Sequence, residues 1–161
     1  MGRFDGKVVI VTGAARGQGE AEARLFADEG AKVVLADVLD DEGRAVAADI
    51  GAAATYLHLD VSSESEWQSA IAATKDFGGR LDVLVNNAAI IWPSAIEDTT
   101  LEAYMAVINV NQVGCFLGMK SAMPLMKDSG GGSIVNISSI AGLQGFAGIS
   151  GYVASKWAVR G

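Results

Sequence analysis

Short β-branched runs separated by helix-length amphipathic stretches leave this chain few folds to choose from. The first run, Lys7-Val8-Val9-Ile10-Val11-Thr12, is apolar without alternation, as a strand buried on both faces of a parallel sheet must be. A parallel neighbour is reached only through a crossover, which the amphipathic stretch that follows can supply. The unit then repeats: strands are predicted at 7–12, 32–36, 55–59, 81–86 and 133–138, with helices at about 18–29 and 41–48, over 63–78, from 99 to about 126, and from Tyr152 onward. Ala21, Leu25 and Phe26 are the expected inward residues of the first helix, and Trp67, Ile71 and Phe77 those of the third. Ser63 with Glu66, and Thr99 with Glu102, have capping-box spacing. The pattern predicts an α/β fold, a Rossmann-like doubly wound parallel sheet in the order 3-2-1-4-5, as one domain over residues 1–161. The last helix has barely begun at Gly161, so the fold is expected to be C-terminally incomplete.

Composition narrows the function classes. Twelve Lys and Arg against nineteen Asp and Glu give a net charge of −7, and no basic run is long enough to track a phosphate backbone, which argues against nucleic acid and anionic membrane surfaces. Half the residues are hydrophobic, yet no stretch reaches the length of a membrane span. Cys115 is the single cysteine, so there is no internal disulfide and no multi-thiolate metal site, and a reduced cytoplasm is the expected location. His58 is the single histidine, alternating with apolar residues in a strand, and reads as a satisfied structural group. A small soluble ligand remains.

The segment Thr12-Gly13-Ala14-Ala15-Arg16-Gly17-Gln18-Gly19 joins the first strand to the first helix. There a glycine-rich turn can offer backbone N–H groups and a helix N-terminus to a pyrophosphate. The spacing is Gly-x-x-x-Gly-x-Gly rather than the commoner Gly-x-Gly-x-x-Gly. Asp37, closing the second strand, stands where an acid accepts hydrogen bonds from both adenosine ribose hydroxyls and repels a 2′-phosphate, which favours NAD over NADP. Arg16 is the contrary hint, since a cation there could pair with that phosphate. Asp60 and Val61, after the third strand, are candidates for the adenine edge, with a turn aspartate as the competing reading.

At the other end of the chain Tyr152 and Lys156 stand four residues apart in Gly-Tyr-Val-Ala-Ser-Lys. On a helix they share one face, and an ammonium so close favours phenolate over phenol. Bringing a phenol to neutral pH takes roughly 4 kcal/mol, and one positive charge about 5 Å away at an effective dielectric near 20 supplies roughly 3. The tyrosine is thereby a candidate general acid/base.

Taken in order, the glycine loop, Asn86-Asn87-Ala88-Ala89, Asn111, Ser139 and Tyr152-x-x-x-Lys156 closely resemble the short-chain dehydrogenase/reductase family over the whole chain. Within it, Ser138 to Leu143 and Asp37 look most like bacterial NAD-dependent 3α/20β-hydroxysteroid dehydrogenases. The resemblance implies hydride transfer between NAD(H) and a secondary alcohol or ketone, with Tyr152 as general acid/base and Lys156 also binding the nicotinamide ribose. It implies that Ser139 hydrogen-bonds the substrate oxygen and that Asn111 holds a water in a proton relay past Lys156. Asn87, Ala88 and Ala89 would pass beneath the adenine ribose, although the family ends that segment in Gly. Ser138 is expected to turn away from Ser139's face. Ile90, Ile91, Trp92, Leu143 and Phe146 are expected to line an apolar mouth, half of them as ordinary core. Val107, Ile108, Val110, Phe116, Leu117 and Met119 are too many for one stripe, so part of the long helix is expected to face another subunit, and the resemblance implies a homodimer or homotetramer built on this helix and the Tyr-bearing one. A 3-oxoacyl-thioester reductase, a sugar dehydrogenase or a non-catalytic nucleotide-binding fragment are the alternatives. The family fold continues through further strands that this chain lacks.

Overall fold

The computed structural model describes residues 2–161. Five parallel strands, β1 (Val8–Thr12), β2 (Lys32–Asp37), β3 (Ala54–His58), β4 (Val83–Asn86) and β5 (Ser133–Asn136), stand in the order β3-β2-β1-β4-β5. Helices α1 (Gly17–Asp28) and α2 (Asp40–Ile50) cross one face, and α3 (Glu64–Gly78) and α5 (Gly114–Asp128) the other. The remaining helices are α4 (Leu101–Ile108) and α6 (Ser150–Arg160). The expected α/β doubly wound sheet is thus the one observed.

Strand alternation explains the two cores. Ile10, Val34 and Leu84 point toward Trp67, Ala70, Leu117 and Leu125. Val9, Val11, Val33 and Leu35 point toward Ala23, Val46 and Ala47. Continuous apolar runs are needed because both faces of β1 and β2 are covered. Trp67 is wholly buried, and its indole N–H donates to the Val61 carbonyl at 2.9 Å. β5 is an edge strand whose residues alternate between exposed and partly covered. Among the described residues no helix is long and apolar enough to cross a membrane.

Several local expectations need correction. α1 does not present Ala21 and Leu25 inward: its buried residues are Gly19 and Ala23, Phe26 is partly covered, and Leu25 is 58% exposed. Small residues one turn apart let this helix lie close to the sheet, and that contact outranks the larger side chains. The cap before α4 is Thr100, whose hydroxyl accepts from Ala103 N–H, while the Thr99 hydroxyl donates to the Ala95 carbonyl. Ser63 caps α3 as expected, but Glu66 reaches instead to Asp60 N–H at 2.7 Å. The long helix is continuous to Asp128 but widens into a π turn at Asn109–Val113.

β4 begins at Val83 rather than at Leu81 because Asp82 has another task. Its buried carboxylate accepts from Val8 N–H at 3.0 Å, Lys7 at 3.0 Å and Arg80 at 2.6 and 2.8 Å. Burial alone would raise the Asp82 pKa, but Arg80, the Val8 N–H and Lys7 outweigh it and hold the group below its ordinary value. The resulting stabilisation is complete above about pH 4 and is lost as pH falls through the lowered folded-state pKa. Asp82→Ala is expected to cost about 1–3 kcal/mol in urea unfolding at pH 7, the penalty for an orphaned buried N–H. The variant should also lose less stability than the parent between pH 5 and pH 3.

Candidate active site

Parallel strands deliver their following loops to one end of the sheet, so residues far apart in sequence meet there. A cleft of about 450 Å³ opens at that end. Its walls include Gly13, Arg16, Gly17, Gln18 and Gly19 from the glycine loop, Asp37 from β2, Asp60 and Val61 after β3, and Asn87, Ala88 and Ala89 after β4. All eleven were expected there from the sequence. Val38, Leu39, Leu59 and Val110, not anticipated, complete the lining with Ile90, which was expected at an apolar mouth instead.

The glycines of this loop are required for steric reasons within the protein itself. Gly17 has φ of +61°, which L side chains rarely adopt. A Cβ on Gly19 would run into the Gly13 carbonyl and sit 2.6 Å from Asn87 Nδ2. The loop is held from below by Thr12, whose hydroxyl donates to the Val85 carbonyl at 3.3 Å and accepts from the N–H groups of Asn87 and Ala88, both at 3.0 Å. Asn87 Nδ2 returns a hydrogen bond to the Thr12 carbonyl at 2.8 Å. Thr12 therefore knits the ends of β1 and β4, and its place just before Gly13 was the signal available in the sequence.

At the far wall Asp37 accepts from the N–H groups of Ala15 (2.9 Å), Val38 (2.8 Å) and Leu39 (3.1 Å). The carboxylate thus ties the glycine loop to the end of β2. A carboxylate has about four acceptor sites, so roughly one remains for a ligand hydroxyl. Asp60 accepts from the Ser62 N–H and hydroxyl at 2.9 and 2.7 Å, which makes it a turn residue that also faces the cleft. Arg16 is exposed and forms no ion pair among the described residues.

Lys156 lies behind this cleft. It lines a cavity of about 10 Å³ with Thr12, Asn86, Asn111 and Cys115, and that cavity shares Val61, Ala88 and Val110 with the cleft. Only 3% of the residue is exposed, and Nζ donates to the Ile137 carbonyl at 2.7 Å. Burial lowers the Lys156 pKa, with Cys115 acting weakly in the other direction. Its ammonium sits 5.6 Å from the centre of the Tyr152 ring, so the two side chains face each other across one helical turn.

The serines separate as expected. Ser138 donates to the Lys156 carbonyl at 2.9 Å, whereas Ser139 accepts from Ala141 N–H at 3.1 Å and keeps its own hydrogen free to donate. Asn111, buried in the π turn, grips Ile90 by both backbone groups at 2.8 and 2.9 Å and donates to Ser155 at 3.0 Å. Both hydrogens of its amide are spent on protein partners, so the side chain joins the 86–90 segment to α6. Ser155, which donates onward to the Tyr152 carbonyl at 2.8 Å, was not anticipated. Ile90, Ile91, Trp92, Leu143 and Phe146 are all exposed, so none is core. Ser94 N–H donates to Gly148 O at 2.8 Å and brings their two loops together.

Residues 7–161 match the family described as short chain dehydrogenase. The chain is 50% identical over 161 residues to a 3-alpha-(or 20-beta)-hydroxysteroid dehydrogenase of Mycobacterium tuberculosis, covering 99% of this chain and 62% of that protein. It is 46% identical to a trans-4-hydroxycyclohexanecarboxylate dehydrogenase of Sinomonas cyclohexanicum (96% of this chain, 63% of that protein). It is 42% identical to a cyclopentanol dehydrogenase of Comamonas testosteroni (99% and 65%). The chain spans about three fifths of the length of these curated relatives.

Thr12→Val keeps the shape of the residue and removes the acceptor for two backbone N–H groups. It is expected to lower unfolding stability by about 1–3 kcal/mol, read from urea titration of the two proteins side by side.

Proposed function

The chain belongs to the short-chain dehydrogenase family, and on that footing we propose that its cleft binds NAD(H) and that its site interconverts a secondary alcohol and a ketone. The observation that carries this reading is the placement of Lys156, which faces Tyr152 on one side and on the other lines a small cavity sharing Val61, Ala88 and Val110 with the cleft. The cleft suits a dinucleotide because its glycine wall admits close backbone approach, and its volume falls in the range of about 300–1,000 Å³ usual for ligand pockets. NAD, when bound, supplies the acceptor for the hydride that leaves the carbinol carbon.

In the oxidation direction Tyr152 takes the proton from the substrate hydroxyl, and in reduction it returns that proton to the new alcohol. Lys156 spends one hydrogen on Ile137 O and has two left, enough for a ribose hydroxyl and for the charge that forms on Tyr152. An anionic neighbour would offset the burial that disfavours its charged form. Ser139 donates its free hydrogen to the substrate oxygen and stabilises charge developing there. Asn111 acts as a positioning residue through Ile90 and Ser155, and the water it would hold in a relay is part of the same proposal. Asp37 supports NAD over NADP, because a 2′-phosphate would meet a carboxylate already fixed in place. Arg16, exposed and unpaired, is outweighed as a mobile, solvated charge.

The named substrates of the three relatives share an alicyclic ring, which makes ring-bearing secondary alcohols the proposed class, hydroxysteroids among them. Exposed Ile91, Trp92, Leu143 and Phe146 offer an apolar surface to such a ring. The outer faces of the long helix and α6 expose Met105, Phe116, Met123 and Trp157, which supports a homodimer or homotetramer. The unpaired Cys115 suits a cytoplasmic setting.

Two measurements test this. Titration with NADH and NADPH should show preference for NADH, and Asp37→Ser should narrow it. Oxidation of cyclopentanol, a hydroxycyclohexane carboxylate and a hydroxysteroid, followed by NADH absorbance, should fall about 100-fold or more in Tyr152→Phe while NADH still binds. Undiminished turnover in that variant would remove Tyr152 from the chemistry. NADH binding with no turnover of any alcohol would favour a nucleotide-binding role alone.

A further inference from the structure

His58 stands outside the cleft, half-exposed at the end of β3, in register with Asp37. Its Nδ1 lies 2.6 Å from Asp40 Oδ1, and its Nε2 lies 3.9 Å from Glu66 Oε2. Both carboxylates are tied to the cleft walls. Asp40 also accepts from the Tyr56 hydroxyl at 2.8 Å, and that hydroxyl lies 2.6 Å from the Asp37 carbonyl just before Val38 and Leu39. Glu66 Oε2 accepts the N–H of Asp60 at 2.7 Å, next to Val61. Asp37, Val38 and Leu39 form one wall of the cleft, and Leu59, Asp60 and Val61 the other.

We propose that His58 is a positioning residue for the adenine end of the cleft: protonated, it ties Asp40 to Glu66 and so holds the two walls together, and on losing its proton it slackens the grip on the nucleotide. The inference rests on the reading that the cleft holds a dinucleotide. The neutral ring can keep Nδ1–H directed at Asp40, but it then turns a lone pair toward Glu66. The protonated ring presents a positive Nε2–H there instead. Glu66 is the hinge of the effect, because the same oxygen holds the Asp60 backbone.

The groups acting on His58 are Asp40 from α2, Glu66 from α3 and Asp60 from the turn after β3, while Arg44 and the Tyr56 hydroxyl bind Asp40, and Asp37 stands beside His58 in register on β2. Acids dominate. The hydrogen bond to Asp40 raises the His58 pKa, burial opposes it, and the charges of Asp40, Glu66 and Asp60 add to the rise. In return Asp40 is pulled down to about 2, first by His58 and then by Tyr56. If the protonated ring favours the binding-competent walls, bound nucleotide must raise the His58 pKa further, since linkage is reciprocal. Affinity is then full below the pKa of the free protein and declines as pH rises through that of the complex. Partly exposed pairs of this kind change an equilibrium by roughly threefold.

His58 is the chain's single histidine, so one imidazole resonance reports its titration in the full chain without assignment. NADH dissociation constants measured from pH 6 to pH 9 should rise by roughly threefold in the parent. They should stay flat in His58→Gln and in Glu66→Gln, whose folding is verified by unfolding midpoints. The imidazole pKa should rise when NADH is saturating. A parent-like slope in His58→Gln, or an imidazole pKa indifferent to NADH, overturns the inference while leaving the dinucleotide site intact. Failure of NADH to bind at every pH overturns the reading of the cleft, and this inference with it.

Discussion

Lys156 holds an ammonium where almost none of the residue meets solvent, and a charge taken out of water costs several kcal/mol unless polar atoms replace its hydration. Much of the site follows from meeting that demand. The Ile137 carbonyl, just past the end of β5, accepts one hydrogen. For it to lie there, α6 must be docked against the strand end, and the Ser138 hydroxyl does this by donating to the Lys156 carbonyl. The same helix is tied to the opposite loop through Ser155, Asn111 and Ile90. A buried cation thus holds α6, which carries Tyr152, against the end of β5, while Ser155 and Asn111 tie that helix to Ile90 in the cleft lining.

The π turn in the long helix belongs to this arrangement. Asn111 lies within the widened turn, where its amide meets both backbone groups of Ile90. Such turns recur at functional sites. Nothing in the apolar periodicity of 101–128 marks one, and its Asn111 is engaged by a partner twenty-one residues away in sequence. The sequence therefore read correctly as one long helix and was silent on the local widening.

Legibility followed the range of the interaction responsible. The sheet order could be read because continuous apolar runs, crossover lengths and the glycine loop all constrain it together. The inward face of α1 could not, because Ala21 with Leu25 and Gly19 with Ala23 are both pairs one turn apart, and only the close approach of helix to sheet selects the second. Thr100 displaced Thr99 as a cap because Thr99 is engaged by Ala95. Eleven of the cofactor residues named from sequence line one cleft because they lie at or after the C-terminal ends of strands, where position along the chain predicts position in space, whereas Tyr152 and Lys156, on α6, are not in its lining. Thr12 and Ser155 escaped because they act on backbone groups of distant segments rather than on a ligand.

A chain with a net charge of −7 would not be the obvious host for a dinucleotide carrying a pyrophosphate. The resolution lies in where the acids around the cleft spend their charge. Asp37 serves three backbone N–H groups, Asp60 serves Ser62, and Glu66 serves the Asp60 N–H. Each faces local donors, which offset its negative charge. The glycine-loop wall is instead formed by the N-terminus of α1 and by exposed Arg16, which suit the phosphates of the proposed ligand. In the proposed binding mode, acidity at the ribose end and donors at the phosphate end are two halves of one orientation rule, which net charge alone conceals.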